Sequence, residues 1–188
     1  MAGRITHVVG FDDAPFLPPH RGDVRIIGAV FCGLRLEGVM QGRVRRDGRN
    51  ATAVLTSLVR ESRFYPQLQC ILLQGIALAG FNVVDIHRLH QATGLPVMTL
   101  TRQAPDLSAI KAALLQQVTG GKVKWRLIEQ AGPMEAVAGV YIQRVAISLP
   151  DAIRLIDELA VNSKVPEPLR TAHLIAAGVS ELSSRKRV

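Results

Sequence analysis

Acidic residues just beyond an apolar segment are the first side chains in this sequence that suggest chemistry. Asp12 and Asp13 come after the apolar segment 5–10 and before a Pro-rich loop. Carboxylates at strand ends in α/β proteins are well placed for ligands or hard cations such as Mg²⁺, whereas the alternative role is to cap a turn. Because neighbouring residues of an extended strand point to opposite faces, only one of the two should enter a shared site. We predict that this residue is Asp12.

A further acid, Asp47, lies in the arginine-rich segment RRDGRNAT. The nearby arginines are Arg43, Arg45, Arg46 and Arg49. One interpretation is a metal-binding carboxylate at the edge of a patch that attracts nucleic-acid phosphates. The other is an ordinary Asp-Gly turn whose arginines form a solvated rim.

Asp85, His87 and His90 fall within one predicted helix. Histidines spaced by three residues could approach a metal ion together, but the HExxH pattern of zinc enzymes is missing, and the side chains fit a solvated helix surface. If Asp12 and Asp47 bind Mg²⁺, Asp85 and Asp13 are the candidates for a third carboxylate ligand.

Several other catalytic classes are disfavoured by the motifs. No Gly-x-Ser-x-Gly elbow, Walker loop or Rossmann glycine motif follows a predicted strand, which argues against hydrolases of that type, NTPases and NAD enzymes. With five Phe, two Tyr and one Trp, the chain has too few aromatic residues for a broad platform that stacks single-stranded bases.

The elements that must position these residues alternate between strand and helix. Short Val- and Ile-rich segments predict an antiparallel meander of three strands at 5–10, 24–32 and 37–44, and apolar runs predict further strands at 69–75 and 96–102. Helices are predicted after Asn50, over 81–92, after an Asp106 cap, and over 151–161 and 167–182. Segments 122–130 and 138–148 fit strands or irregular structure. This order predicts one mixed α/β domain over 1–188 with helices on both faces of the sheet.

Composition and charge narrow the class of protein. The 188 residues are 48% hydrophobic and 20% charged, which is typical of a globular protein, and no apolar run reaches the roughly 18 residues of a membrane span. The N-terminal segment lacks the apolar core of a signal peptide, so we expect a cytoplasmic protein. The formal charge of +8 favours a polyanionic partner or, in the simpler interpretation, only a soluble basic surface. The basic tail 183–188 is expected to fray.

The two cysteines, Cys32 and Cys70, both lie in apolar runs. They are too few for a disulfide framework or a cysteine zinc site, and we predict that both are small buried core residues.

Longer motifs resemble a known family. The run Pro166-Glu167-Pro168-Leu169-Arg170 resembles the start of the last helix of endonuclease V, VVGFDDAPF resembles its first strand, and QCILLQG with TGLPV resembles its fourth strand and the entry to the next one. The match is closer still to a small prokaryotic relative of endonuclease V, the family of unknown function catalogued as domain of unknown function ninety-nine. GFDDAPF, DGxxAT, GFNVVDI, TGLPV and PEPLRTAH match its pattern along nearly the whole chain.

This resemblance implies a ribonuclease H-like fold, in three α/β/α layers. Its mixed sheet has five strands, of which the first three are antiparallel. Pro166, Glu167, Pro168 and Arg170 are then a structural motif at the start of the last helix, where Pro fits the first turn and Arg170 reaches a carboxylate or a helix end.

The implied activity is Mg²⁺-dependent cleavage near deaminated bases such as inosine. Of the family's metal ligands, the aspartate on the first strand matches Asp12, the glutamate of the next helix lies close to Asp47, and the aspartate of the fourth strand falls on the neutral Gln74. The family's late catalytic histidine falls near Val145, and its PYIP wedge has no counterpart in GVMQGRVRR.

These departures shape the functional expectation. We expect an endonuclease V-like protein that binds DNA or RNA weakly and without sequence preference, with Mg²⁺-dependent phosphodiesterase activity that is absent or divergent. The alternatives are an active divergent endonuclease on inosine-containing or structured nucleic acid, and a protein that binds a nucleotide or a partner in the former active-site cleft.

Overall fold

The structure, a computed structural model, describes residues 4–180. Its strands are β1 (His7–Asp13), β2 (Asp23–Cys32), β3 (Arg35–Arg45), β4 (Cys70–Gln74), β5 (Ala77–Leu78), β6 (Asn82–Val83), β7 (Val97–Thr101), β8 (Glu135–Val137) and β9 (Val140–Val145). Its helices are α1 (Ala51–Arg60), α2 (Ile86–Thr93), α3 (Leu107–Gln117), α4 (Gly121–Gln130), α5 (Leu149–Leu159) and α6 (Glu167–Gly178). The basic tail 183–188 lies outside the described residues.

A mixed sheet in the order β3-β2-β1-β4-β7-β9-β8 forms the centre of the protein. As predicted, β1, β2 and β3 form an antiparallel meander, and β1 lies in mid-sheet with the parallel strand β4 beside it. Both strands are buried on both faces, because apolar residues of β1 and β4 contribute to two separate core clusters.

The predicted number of five strands is wrong, because the main sheet has seven within residues 4–180. The two additional strands are β8 and β9, which form a hairpin that pairs with β7. Strand β9 belongs to segment 138–148, in which periodicity did not distinguish a strand from irregular structure, and β8 lies just before it, at positions for which no element is predicted. These residues are strands because the hairpin pairs with β7, and this pairing is a tertiary contact that a local pattern does not contain.

Segment 122–130 is helical, which corrects the prediction of a strand or irregular structure there. The apolar pattern is interrupted because Lys124 occupies a buried position, with only 2% of its surface exposed. Lysine is ordinarily a surface residue, so the apolar residues of this segment do not show a helical period in the sequence when a lysine occupies one of the core positions.

The start of α2 and the cap of α1 differ from the prediction. Helix α2 begins only after Asp85, whose side chain accepts a hydrogen bond from Arg88 N, so Asp85 is its N-cap. Asn50 precedes α1, but its side chain binds no helical N–H, because its Oδ1 accepts from Arg45 N and Asn82 Nδ2. Asn82 Oδ1 in turn accepts from the first helical N–H, that of Ala51. Asp106 caps α3 as predicted.

The two faces of the sheet carry different helices. Val8 packs with residues of α5 and α6, whereas Val9 and Phe11 pack with residues of α1 and α2. Strand alternation therefore directs Asp12 to the α6 face and Asp13 to the α1 face.

One of the two cysteine predictions is wrong. Cys70 is fully buried, but Cys32 is only half-buried. Cys32 is the last residue of β2, where the strand leaves the core, so the apolar run that precedes it does not report its exposure.

None of the helices within residues 4–180 is long and apolar enough to cross a bilayer.

Candidate functional site

Asp12 lies at the carboxyl end of β1 and is bonded to a histidine from the far end of the chain. Only 5% of its surface is exposed. Its Oδ2 is 2.8 Å from His173 Nδ1, and its Oδ1 accepts a hydrogen bond from Asp13 N. Burial raises the pKa of the Asp12 carboxyl, although the bonds from His173 and Asp13 N act in the opposite direction. An aspartate and a histidine are thus paired at the edge of the central strand.

The histidine side chain is accessible even though its partner is not. The exposed fraction of the His173 side chain is 63% against 7% for Asp12. An ionised carboxylate can only accept, so the ring donates through Nδ1, and in the neutral ring Nε2 then carries the lone pair. This arrangement resembles the orienting half of a catalytic triad, in which a buried aspartate fixes the tautomer of a general base.

Helix α6 positions His173. Its buried residues Leu169, Ala172 and Ala176 pack against the sheet, and His173 follows Ala172 at the border of this apolar stripe. At Gly10 the helix start comes so close to β1 that a Cβ atom would lie 2.5 Å from the Pro168 carbonyl carbon. Glycine at this position therefore allows the close approach of α6.

The PEPLR motif lies at the entry to this helix. Pro166 is the N-cap residue and Pro168 occupies the first turn, where a missing N–H leaves no bond unmade. Glu167 accepts hydrogen bonds from Asn162 and from Arg170, whose Nη1 lies 3.2 Å from Glu167 Oε2. These contacts order the loop before α6.

Asp13 points away from Asp12 and holds a loop. Its Oδ2 accepts a hydrogen bond of 3.1 Å from Ala79 N. Burial, and then the neighbouring charge of Asp12, raise the pKa of Asp13 to about 6.

Asp47 binds the same loop from the other side. Its Oδ1 accepts from Phe81 N at 2.8 Å, its Oδ2 accepts from Arg46 Nε at 3.1 Å, and its own N–H donates to Ala79 O. Lys124 Nζ donates to the Asp47 carbonyl, and burial lowers the pKa of this lysine. Both carboxylate oxygens of Asp47 are thus already engaged, Oδ1 with the loop 79–81 and Oδ2 with Arg46.

Asp85 lies on the α1 side of the sheet, where its N–H donates to Thr52 Oγ1. His87 and His90 bind the backbone carbonyls of Gln130 and Leu95. Within residues 4–180, neither Asp85 nor any of the acids at positions 12, 13 and 47 belongs to a group of three potential ligands close enough to share one metal ion.

Gln74 is the side chain that shares a strand end and a face with Asp12. Phe11 pairs with Leu73, and Leu72 packs in the same core cluster as Val8. Alternation in both strands therefore places Asp12 and Gln74 on the α6 face, at neighbouring strand ends. One carboxylate with one neutral amide fits a single Mg²⁺ ion that is held jointly with substrate phosphates, but not a pair of ions bridged by several carboxylates.

An open groove of about 550 Å³ begins at Ala14, directly after the end of β1. It is lined by residues of the loop after β1, by β2 and β3, and by the residues after α6, including Ala14, Phe16, His20, Arg25, Arg43 and Val179. Arg25 and Arg43 face each other across β2 and β3. Their guanidinium groups can bind phosphate oxygens in the groove.

The four predicted arginines are divided among different environments. Arg43 lines the groove, and Arg45 Nη1 lies 3.8 Å from Asp23 Oδ1. Arg46 is held by the carbonyls of Pro18 and His20 and stacks on Phe16, which orders the loop after β1. Arg49 is exposed beyond the strand.

Two residues of this region escaped the sequence analysis. Arg25 lies inside an apolar strand, and only its pairing with Arg43 brings two guanidinium groups together. His173 follows the PEPLR motif in the same helix. The sequence did not show that this helix packs against the first strand, so it did not show that His173 meets Asp12. A polar residue beside the apolar stripe of a helix was the available signal.

Comparisons with known proteins agree with this architecture. The sequence model of the family described as Endonuclease dU matches residues 4–180. A UPF0215 protein of Deinococcus radiodurans is 55% identical over 181 residues, which covers 96% of this chain and 92% of the relative.

Solved structures extend the comparison. A protein of unknown function from Archaeoglobus fulgidus has 32% identity and a TM-score of 0.87, over 94% of this chain and 99% of the other. Endonuclease V of Ciona intestinalis, solved with a DNA that contains an inosine followed by a ribo-adenosine, has 13% identity and a TM-score of 0.54, over 89% of this chain and 82% of the other. This last similarity shows a shared fold. By the family match over residues 4–180 and its UPF0215 relatives, the chain belongs to the Endonuclease dU family, which is related to endonuclease V.

Proposed function

We propose that this protein is a nucleic-acid-binding phosphodiesterase that cuts a strand near a deaminated base. The observation that carries the proposal is the buried Asp12 paired with the accessible His173 beside an arginine-lined groove. The name of the matched family, Endonuclease dU, makes deoxyuridine the first nucleoside to test. The inosine in the DNA bound by the Ciona endonuclease V makes inosine the second.

Hydrolysis of a phosphodiester needs a base for the attacking water and cations for the negative charge that develops. Asp12 orients His173 so that Nε2 can accept a proton from water, a role worth roughly 10²–10⁴ in rate. Arg25 and Arg43 bind phosphates of the strand in the groove next to the scissile bond. Asp12 and Gln74 are the side chains that would hold a divalent cation, which when bound supplies electrostatic stabilisation of the phosphoryl oxygens.

Cleavage of labelled oligonucleotides tests the proposal. Single and double strands that contain deoxyuridine, inosine or only ordinary bases are incubated with Mg²⁺, with Mn²⁺ or with a chelator. We expect cleavage of the deaminated substrates, and a loss of at least about 100-fold in Asp12→Asn and in His173→Ala. Asp85→Asn removes a carboxylate from the α1 side, keeps an N-cap residue and should cleave like the wild type. Gln74→Asp adds an anion next to Asp12 and should increase the Mn²⁺-dependent rate.

The proposal fails if wild-type cleavage is unaffected by both Asp12→Asn and His173→Ala. Tight binding without cleavage in any of the three conditions would instead support a protein that binds nucleic acid without cutting it. The finding that favours this second function is that the acids at positions 12, 13, 47 and 85 do not form a three-ligand group in the described part of the chain.

A further inference from the structure

Three potential metal ligands meet at the opposite end of the central strand from Asp12. His7 begins β1, Cys32 ends β2, and Glu37 lies near the start of β3. One ligand atom from each residue lies within 4.8 Å of the ligand atoms of the other two. Within residues 4–180, this is the one group of three His, Cys, Asp or Glu side chains that meets this criterion. His7 Nε2 is 3.9 Å from Glu37 Oε2.

The strand register explains why these side chains share a face. His7 pairs directly with Cys32 across the antiparallel strands β1 and β2. Between β2 and β3 the register shifts, so that Val30 pairs with Gly38, Phe31 pairs with Leu36, and Glu37 is the extra residue of a bulge. A bulge redirects a side chain, and here it turns the Glu37 carboxylate towards His7.

Hydrogen bonds around His7 engage its Nδ1 and leave Nε2, the nitrogen nearer Glu37, to bind a metal ion. Gln69 Oε1 accepts from the N–H groups of Thr6 and His7, so it is the amide oxygen and the Thr6 hydroxyl must donate to it. The Thr6 oxygen, 3.0 Å from His7 Nδ1, then accepts from the ring. The proton therefore sits on Nδ1, and the lone pair of Nε2 faces Glu37. Metal-binding histidines are commonly oriented in this way by an oxygen bonded to the other ring nitrogen.

Glu37 is oriented in a comparable way. Its Oε1 accepts a hydrogen bond of 2.6 Å from Arg35 Nη2, which leaves Oε2 towards His7. The side chains of Glu37 and His7 are 19% and 27% exposed, so a cation can enter from solvent and is then partly screened from it.

We propose that His7 Nε2, Cys32 Sγ and Glu37 Oε2 bind one divalent transition-metal ion of the Zn²⁺ class, with a fourth position open to solvent. Imidazole and thiolate select such ions, whereas Mg²⁺ prefers oxygen ligands alone. In a tetrahedral Zn²⁺ site these ligand atoms are separated by about 3.3–3.6 Å, so the ligands need only small rotations to close around the ion. The deprotonated thiol and the carboxylate carry two negative charges, which match the divalent cation in spite of the nearby Arg35.

This site is independent of the proposed phosphodiesterase. The five residue steps along β1 from His7 to Asp12 separate the two by about 16 Å at 3.3 Å per step. The ion would join β1, β2 and β3 at the base of the meander, and its binding to the folded state alone would raise the melting temperature.

Titration of the tag-free, chelator-stripped protein with Zn²⁺ by calorimetry tests the proposal, with Co²⁺ as a spectroscopic probe. We expect one ion per chain and, for Co²⁺, a thiolate-to-metal charge-transfer band with the visible bands of a tetrahedral ion. Cys32→Ser and Glu37→Gln should weaken Zn²⁺ binding at least about tenfold, and Cys32→Ser should abolish the thiolate band. His173→Ala, which removes a histidine at the other end of the sheet, should keep both the stoichiometry and the band.

Alkylation of thiols gives a second measurement. Burial raises the pKa of the Cys70 thiol to about 12, so iodoacetamide reports on Cys32 in the folded protein. Saturating Zn²⁺ should slow this reaction at least about tenfold, and Mg²⁺ should not. Zn²⁺ binding that is unchanged in both Cys32→Ser and Glu37→Gln, when the two variants melt cooperatively in chelator, would overturn the proposal. A Co²⁺ complex without the thiolate band would overturn it as well.

Discussion

Consecutive residues at the end of β1 have different environments because a strand alternates its side chains between two faces. Asp12 binds His173 on the α6 face, and Asp13 binds Ala79 N on the α1 face. Asp12 and Asp13 are therefore neighbours in the sequence whose carboxylates lie on opposite faces of the sheet. The first is suited to orient a base, and the second stabilises a loop.

Asp13→Asn should increase stability at neutral pH. The folded protein holds the Asp13 proton with a pKa of about 6 instead of 3.8, so the free energy of unfolding falls as the pH rises from about 4 to 6. Asparagine cannot ionise, and its Oδ1 can still accept the bond from Ala79 N. We expect a gain of about 1–3 kcal/mol at pH 7.5 that disappears near pH 4.

Urea denaturation at several pH values, in chelator, measures this difference. A gain for Asp13→Asn that is equally large at pH 4 and at pH 7.5 would contradict the assignment, because it would then arise from something other than ionisation.

The contact between β1 and α6 is the feature of the elements on which the candidate site depends. Helix α6 packs on β1 and β2, and its first turn lies against Gly10. This contact sets the distance from β1 to His173, which lies on the same helix. The position of the helix thus determines whether the Asp12–His173 pair forms.

Gly10→Ala should displace this helix. The new Cβ would lie 2.5 Å from the Pro168 carbonyl carbon and 2.7 Å from Leu169 N, and backbone atoms cannot rotate away. We expect a loss of about 1–3 kcal/mol in the free energy of unfolding and, because His173 moves relative to Asp12, a loss of cleavage. Thermal unfolding and the cleavage assay measure the two effects.

Leu174→Ala provides the control on the same helix. Leu174 is 54% exposed, so we expect its truncation to change the free energy of unfolding by less than about 1 kcal/mol. Wild-type stability and cleavage in Gly10→Ala would show that α6 tolerates displacement and that its close approach is not required.

At the scale of the whole molecule, the chain has a net charge of +8, but its cationic side chains form a basic surface only where the fold brings them together. Arg25 and Arg43 line the groove on the α6 face, next to the strand end that carries Asp12. Arg46, although close to Arg43 in sequence, instead holds the loop after β1. Net charge predicts attraction to polyanions, and tertiary structure determines where they bind.

Replacing Arg25 and Arg43 together by Ala should weaken binding to duplex DNA and reduce its dependence on salt. Each neutralised phosphate contributes about 0.9 to the slope of log affinity against log salt, so we expect the slope to fall by about 1.8. Fluorescence anisotropy with a labelled duplex between low and moderate salt measures it.

The charge-matched control replaces Arg60 and Arg88, which are exposed on α1 and α2 on the other face of the sheet. This control removes the same charge and should leave most of the slope intact. Equal losses of slope in the two double variants would mean that binding depends on net charge and not on the groove.

The sequence by itself determined the features that local patterns encode. Apolar runs bounded by Gly, Pro and Asp predicted the antiparallel meander and the two central parallel strands, because burial on one or both faces imposes a period on each strand. Asp106 marked a helix start because an N-cap side chain bonds the N–H of a residue two or three positions later in the same helix. The motif PEPLRTAH pointed to the family because it resembles that family's pattern at the start of the last helix.

Only the tertiary structure decided which residues meet. Asp12 and His173 are separated by 161 positions, and their bond depends on the packing of α6 over Gly10. The division of labour between Asp12 and Asp13 depends on which helix covers each face of β1. The cluster of His7, Cys32 and Glu37 requires a cross-strand pair and a bulge. A linear pattern records the period of each element, whereas the register and packing between elements arise from contacts between residues that are distant in sequence, so the sites had to be read from the fold.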